Sequence, residues 1–343
     1  MRTPQALARL GKDTLGLWRR AEALELLSPD QIERDLADGV IQRPLPGVYC
    51  DGGFELSAEQ WLAAVVLAGS VHDRALRSAS LEPDQPVRSL EAVACGRTSA
   101  RVLGIPLIDD DDPATQSFDK YHHDVAVFRH VGRPGSDVDP PIATVHRYQL
   151  RLDRTDLVRH PSGLYLTNAV RTLFDLTPLI SEQALVCALD WCLHHKQVTM
   201  EELQAFVAEH KGWRTTRTFA NTLARADARA ESPHESLTRL LLAPGWPQLT
   251  PQVLLVDEHG YPVARFDHAD EEIRLAVESD GRAGHSGEVM RAKDDRRDRR
   301  TSSSFGYCTE RVTWYDVRRR AVETRRRVLD VRDRLRARLA SAA

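Results

Sequence analysis

Apolar positions along the chain fall into two rhythms. Helical spacing marks Ala58–Ala68 (AEQWLAAVVLA), the set Ala184, Leu185, Ala188, Leu189 and Cys192, and the set Val328, Val331, Leu335 and Leu339. Short β-rich runs mark Val40-Ile41, Val48-Tyr49, Val125–Phe128, Val253–Val256, Tyr261–Asp267, Ile273–Ser279 and Cys308–Thr313. Ser28-Pro29 and Ser232-Pro233 each place a capping serine before a proline at the first helical position. They predict helices over Asp30–Ala37 and Pro233–Leu242, the first stopped by Asp38-Gly39 and the second by Gly245-Trp246-Pro247. Further helices are expected over Gly287–Arg300 and Asp316–Leu339.

These elements predict an α+β multidomain protein. Residues 1–55 read as helices followed by a hairpin whose turn holds Pro44, Pro46 and Gly47, the outline of an N-terminal winged helix-turn-helix. Its reading helix would be DQIERDLA, with three acids against one arginine, which phosphates repel. Domain packing or protein contact is the competing role. Residues 56–225 form a mixed α/β middle region, and 226–343 give the order αβββαβα: three antiparallel strands, a crossover helix and one further strand.

Composition narrows the class. The 343 residues are 42% hydrophobic and 28% charged, as in a soluble globular protein. No apolar run is long enough to span a membrane, and the N-terminus lacks the apolar core of a secretory signal, so a cytoplasmic protein is expected. Cys50, Cys95, Cys187, Cys192 and Cys308 are scattered and never spaced C-x-x-C, which argues against a disulfide framework or structural zinc. The net charge of −3 hides an asymmetry: from His285 onward 17 basic residues face nine acidic ones. A basic segment beside an acidic cluster suits a polyanion held near a cation; a solvated Arg-rich helix explains the charge equally well.

The acidic cluster is Val263–His285, VARFDHADEEIRLAVESDGRAGH. Glu278 and Asp280 share a strand face, and a hairpin turning at Asp270-Glu271-Glu272 would bring Asp267 beside them. Three acids and His285 at one sheet end could bind a hard divalent cation, which activates water against a phosphodiester. On residue types alone, a solvated acid-rich hairpin fits as well. Elsewhere, Asp109–Asp112 reads as a solvated turn, and His122-His123 has no spaced ligand partner. Arg171 and Asp175 form an i,i+4 structural pair, and His194-His195-Lys196 closes a helix. No chemistry is legible in the middle region.

Glu235, Asp267, ESDGRAGH (Glu278–His285), DDRRD (Asp294–Asp298), Gly306-Tyr307 and Thr313-Trp314, in this element order, resemble the PD-(D/E)XK nuclease superfamily. More closely they resemble the domain-of-unknown-function 559 group, relatives of very-short-patch-repair endonucleases. The likeness covers about 110 residues and implies a restriction-endonuclease-like domain. Residues 28–49, ending in GVY, and TNAVRTLFDL (Thr167–Leu176) resemble AbiEi-family antitoxin-like proteins more loosely. The superfamily's usual lysine is replaced here by Asp280, which can bind metal or hold water but cannot stabilise developing negative charge.

The resemblance implies a metal-dependent DNA endonuclease or nickase. Asp267, Glu278 and Asp280 would hold Mg²⁺ or Mn²⁺, with the Ser279 carbonyl. Glu235 would act from the first helix, as a ligand or through water, His285 would activate or position the attacking water, and Arg296, Arg297, Arg299 and Arg300 would hold DNA phosphate. Lys293 is a further cation that could substitute for the missing lysine. The alternatives are a non-catalytic DNA-binding regulator or antitoxin, and a module that neutralises a cognate toxin protein. No G-x-S-x-G, Walker or H-E-x-x-H motif is present.

Overall fold

The computed structural model describes residues 14–53, 55–70, 81, 85–108, 122–128, 144–280 and 299–342. Among the described residues the fold is mixed α/β with three sheets, and the chain divides into two compact units. Unit 1 holds Met1–Leu185 and Val198–Asn221; unit 2 holds Val186–Gln197 and Thr222–Ala343.

Unit 1 begins with β1 (Leu17–Arg19), α1 (Arg20–Leu24) and α2 (Pro29–Ala37). Ser28 caps α2, its hydroxyl accepting the Gln31 amide, and Gly39 leaves the helix at φ +68°. The expected hairpin is β2 (Ile41–Leu45) and β3 (Val48–Asp51). Pro46 and Gly47 join them, the pairing a type II turn takes. β1 completes the sheet by pairing with β3, giving the order β1-β3-β2; three residues, LWR, were too short a run to announce a strand.

α3 (Ala58–Gly69) starts at a Ser57/Gln60 capping box. Its last nine residues are all buried because it packs on both sheets of unit 1. The second sheet contains β4 (Ala92–Cys95), β5 (His122–Val127), β6 (Thr144–Tyr148), β7 (Leu157–Arg159) and β8 (Tyr165–Thr167), in the order β6-β5-β4-β8-β7. α4 (Gly96–Val102) leaves β4 directly, and α5 (Ala169–Leu176) follows β8 behind an Asn168 cap.

A helix α6 (Glu182–His194) carries the chain into unit 2 and α7 (Met200–Glu209) belongs to unit 1; α8 (Thr216–Leu223) leads out of it. Unit 2 continues with α9 (Pro233–Leu242), β9 (Thr250–Val256), β10 (Pro262–Asp270), β11 (Leu275–Asp280), β12 (Cys308–Thr313), α10 (Trp314–Arg319) and α11 (Ala321–Ala342). The strand order is β12-β11-β10-β9: an antiparallel meander with β12 parallel to β11. A parallel neighbour demands a crossover connection, and helical residues 299–305 lie on that path. One sheet face, with Leu275, Val277 and Val312, packs on Leu242 of α9 and Val328 of α11. The other face, with Phe266 and Ala276, packs on Phe305 and Tyr307.

Three boundaries differ from expectation. The final helix is two, because Thr313 and Asp316 form a capping box that starts α10 and Arg320 breaks it with non-helical angles. Asp270 ends β10 rather than opening a solvated turn, since its carboxylate is buried and accepts from Trp246 Nε1 at 2.7 Å. The turn moves to residues 271–274, with Arg274 at φ +52°. Most of the helix expected over Gly287–Arg300, and the Asp109–Asp112 turn, lie outside the described residues.

Candidate active site

The site grows from the β10–β11 hairpin. Its ladder pairs Asp270 with Leu275, Ala269 with Ala276 and His268 with Val277. The next side chains along the two strands are therefore Asp267 and Glu278. The backbone ladder ends here, and the Asp267 carboxylate takes over: Oδ2 accepts the Ser279 N–H at 2.7 Å. Asp280 is the last residue of β11, in register with Thr313 of β12. Ser279 faces α9, with its hydroxyl donating to Thr238 Oγ1 at 3.0 Å. Strand alternation turns Glu278 to the opposite face. Glu278 is buried, and Asp267 and Asp280 are half-buried.

Glu235 stands on α9 with a full set of donors. Oε1 accepts from Ser232 Oγ at 2.8 Å. Oε2 accepts from the Glu231 amide at 3.0 Å and from Gln252 Nε2 at 2.7 Å. These bonds close the first turn of the helix, so the carboxylate does capping chemistry in this structure. Gln252 sits at φ +54° on β9, between partners of Phe266 and His268.

Two histidines that the sequence reading passed over lie at the same end. The His234 ring meets Trp314 edge-on at 5.7 Å. Burial lowers its pKa, and the Thr313 backbone and the Asp280 charge oppose that. His268 is 1% exposed, and burial followed by the Arg239 charge lowers it to about 3. Both imidazoles are thus neutral at neutral pH. The signals were present as Ser232-Pro233-His234-Glu235 and Asp267-His268, but neither spacing resembles a ligand pair.

His285, Lys293, Arg296, Arg297 and the Asp294–Asp298 segment lie outside the described residues. Arg299 and Arg300 are exposed on helical residues 299–305. Part of the C-terminal positive charge is engaged within unit 2. Arg325 donates to the Leu241 and Pro244 carbonyls, Arg332 to Gly245 O at 2.9 Å, and Arg327 pairs with Glu310. Arg336 reaches Gln248 Oε1 at 2.8 Å and the buried Asp270 at 3.4 Å. These arginines fasten α11 to its own unit, which the charge count could not distinguish from a phosphate-binding face.

The carboxylate oxygens of Asp267 and Glu278 are the donor type that Mg²⁺ or Mn²⁺ takes. Among the described residues, however, no group of three or more His, Cys, Asp or Glu is arranged to hold a metal ion. The described donors alone do not complete a cation site.

Comparison with known proteins gives a distant relationship. No family model matches the chain. Two Mycobacterium tuberculosis proteins are similar to it: Uncharacterized protein Rv2248 of strain ATCC 25618 / H37Rv and Uncharacterized protein MT2308 of strain CDC 1551 / Oshkosh. Each is 28% identical over 208 residues, which is 60% of this chain and 69% of the relative. Among the described residues no helix is long and apolar enough to cross a membrane.

Proposed function

We propose that the protein is a divalent-cation-dependent DNA endonuclease or nickase, with unit 2 as the catalytic, restriction-endonuclease-like part. The observation that carries this reading is that Asp267 and Glu278 are the next residues of the two strands beyond the His268–Val277 pair, with the Asp267 carboxylate bonded to the Ser279 amide and Asp280 at the end of the same strand. The meander followed by a parallel β12 supports it, because this is the element order the resemblance implies. In this reading Asp267 and Glu278 give oxygen ligands to Mg²⁺ or Mn²⁺, with Asp280 and the Ser279 carbonyl beside them. When bound, such an ion supplies Lewis-acid activation of water and phosphate. Glu235 acts as a positioning residue that fixes the start of α9. His285 is the water-positioning group, and Arg296, Arg297, Arg299 and Arg300 hold phosphate.

A second reading, a non-catalytic antitoxin-like protein, draws on the surface of α1 and α2. Asp30, Glu33 and Asp38 are exposed there, and Leu24 and Leu26 are 42% and 50% exposed. That surface would repel DNA phosphate and suits a protein partner such as a cognate toxin.

The test is cleavage of supercoiled and linear plasmid in Mg²⁺ or Mn²⁺, comparing the native chain with Asp267→Asn and Glu278→Gln. Cation-dependent nicking that is lost in both variants, with folding intact by circular dichroism, is the expected result. Cleavage unchanged in both variants, or none in the native protein, overturns the enzyme reading.

A further inference from the structure

Unit 1 contains a cavity of about 350 Å³, a size typical of sites for small ligands (roughly 300–1,000 Å³). It lies where β4 turns into α4, against α5 and the segment before α8. Its walls include Tyr148, Leu150, Phe174, Leu179 and Trp213, a largely apolar and aromatic surface. Arg151 and Arg214, both exposed, stand at its mouth.

The deep end is polar and already charge-balanced. The Arg171 side chain is 2% exposed. Its Nε donates to Asp175 Oδ1 at 2.9 Å, and its Nη1 to Arg151 O at 2.7 Å and to Asp156 Oδ2 at 3.2 Å. The guanidinium lies 5.3 Å from the Trp213 ring centroid. Nη2 makes no hydrogen bond among the described residues. Beside it, Oδ2 of Asp175 is buried without a partner among them, on a side chain 9% exposed. A native interior rarely leaves a buried acceptor and a neighbouring guanidinium nitrogen both unused.

Two carboxylates around one guanidinium leave no surplus positive charge, so a deep anion is disfavoured. An uncharged group that accepts from Nη2 fits instead, and a carbonyl does so; a ring N–H beside it would donate to Oδ2, which is covered in this structure, once the Asp175 carboxylate turns toward the cavity. The aromatic walls suit a flat ring, and the two arginines at the mouth suit an anionic tail. We propose that this cavity binds a planar heteroaromatic ligand with a lactam edge and a phosphate or carboxylate, the chemistry of a nucleotide. The proposal concerns unit 1 alone and stands whether or not unit 2 cleaves DNA.

The test uses inosine 5′-monophosphate, inosine and benzyl phosphate as probes on the full chain, by calorimetry and ligand-observed saturation-transfer NMR. Saturable binding of the monophosphate is expected, with its base protons receiving the saturation. Inosine and benzyl phosphate should each bind about tenfold more weakly or worse, the effect of losing a charge-assisted hydrogen bond or a ring-edge pair. Arg214→Ala, at an exposed position, should reduce the monophosphate to the level of inosine. Leu150→Trp should abolish binding by filling the cavity while the thermal melt stays cooperative. The proposal is overturned if the monophosphate fails to saturate at millimolar concentration, or if benzyl phosphate binds as well as it does. It is equally overturned if Arg214→Ala leaves affinity unchanged.

Discussion

The Asp267 carboxylate replaces a backbone carbonyl as the acceptor for the Ser279 amide, at 2.7 Å, just past the last paired residues of β10 and β11. One side chain thus holds, from the β10 side, the strand end that β12 pairs from the other side and on which Glu278 and Asp280 stand. Asp267→Ala strips a part-buried amide of its acceptor and should cost about 1–3 kcal/mol. Asp267→Asn keeps an oxygen acceptor and should cost under about 1 kcal/mol. Urea melts give the two stabilities. If cleavage is lost in the asparagine variant while its stability is kept, the carboxylate charge acts in the chemistry as well as in the scaffold.

Acid sensitivity follows from His268. Its two ring nitrogens are buried without hydrogen-bond partners among the described residues, and its folded pKa is about 3 against an ordinary 6.5. Between those values the unfolded chain takes up a proton that the folded chain refuses. Stability therefore falls as pH drops from 6.5 toward 3, by about 1.4 kcal/mol per pH unit where this group alone titrates. His268→Leu should flatten that part of the profile, read as urea-melt stabilities at pH 4, 5 and 6.5. An unchanged slope in the variant would assign acid lability to other groups.

The Arg171 cluster shows where sequence reading stops. The Arg171–Asp175 spacing is legible as an i,i+4 pair, and the structure contains it. Asp156 is not legible as a partner, because a fifteen-residue separation joins the turn before β7 to α5 only through the fold. Burial, opposed by Arg171, pushes Asp175 up to about 6. Arg171→Leu leaves two buried carboxylates uncompensated and should cost about 3–5 kcal/mol. Asp175→Asn at pH 6 replaces a carboxyl that is already half-protonated and should cost far less, under about 1.5 kcal/mol. Thermal denaturation of the two variants separates these outcomes.

Local chemistry was what the sequence displayed best. Ser28-Pro29 and Ser232-Pro233 do start helices, and β-rich runs do become β9 to β12, because caps and strand preference act within a few residues. β1 was missed because its strand character comes from pairing with β3, some thirty residues away. The Glu235 carboxylate was legible as an acid on the first helix. That it faces Gln252 of β9 was not, since an unusual positive φ at Gln252 sets that contact. The cavity of unit 1 left no motif because its lining comes from four separate stretches of chain.

Gly52 and Gly39 give the last prediction, because they look alike in sequence and differ in structure. A Cβ built on Gly52 would fall 2.0 Å from the Gly39 carbonyl oxygen and 2.8 Å from its carbonyl carbon. Both are backbone atoms, and the Gly52 amide is held to Val40 O at 2.8 Å, so neither side can yield cheaply. Gly39 has open space around it and needs glycine only for its φ of +68°. Gly39→Ala should therefore cost about 1–2 kcal/mol, the penalty of a left-handed alanine. Gly52→Ala should cost more, about 2–4 kcal/mol, because it forces the strand end away from the α2–β2 connection. Chemical denaturation of the two variants orders them, and equal costs would show that the close approach of these two backbones is not what requires Gly52.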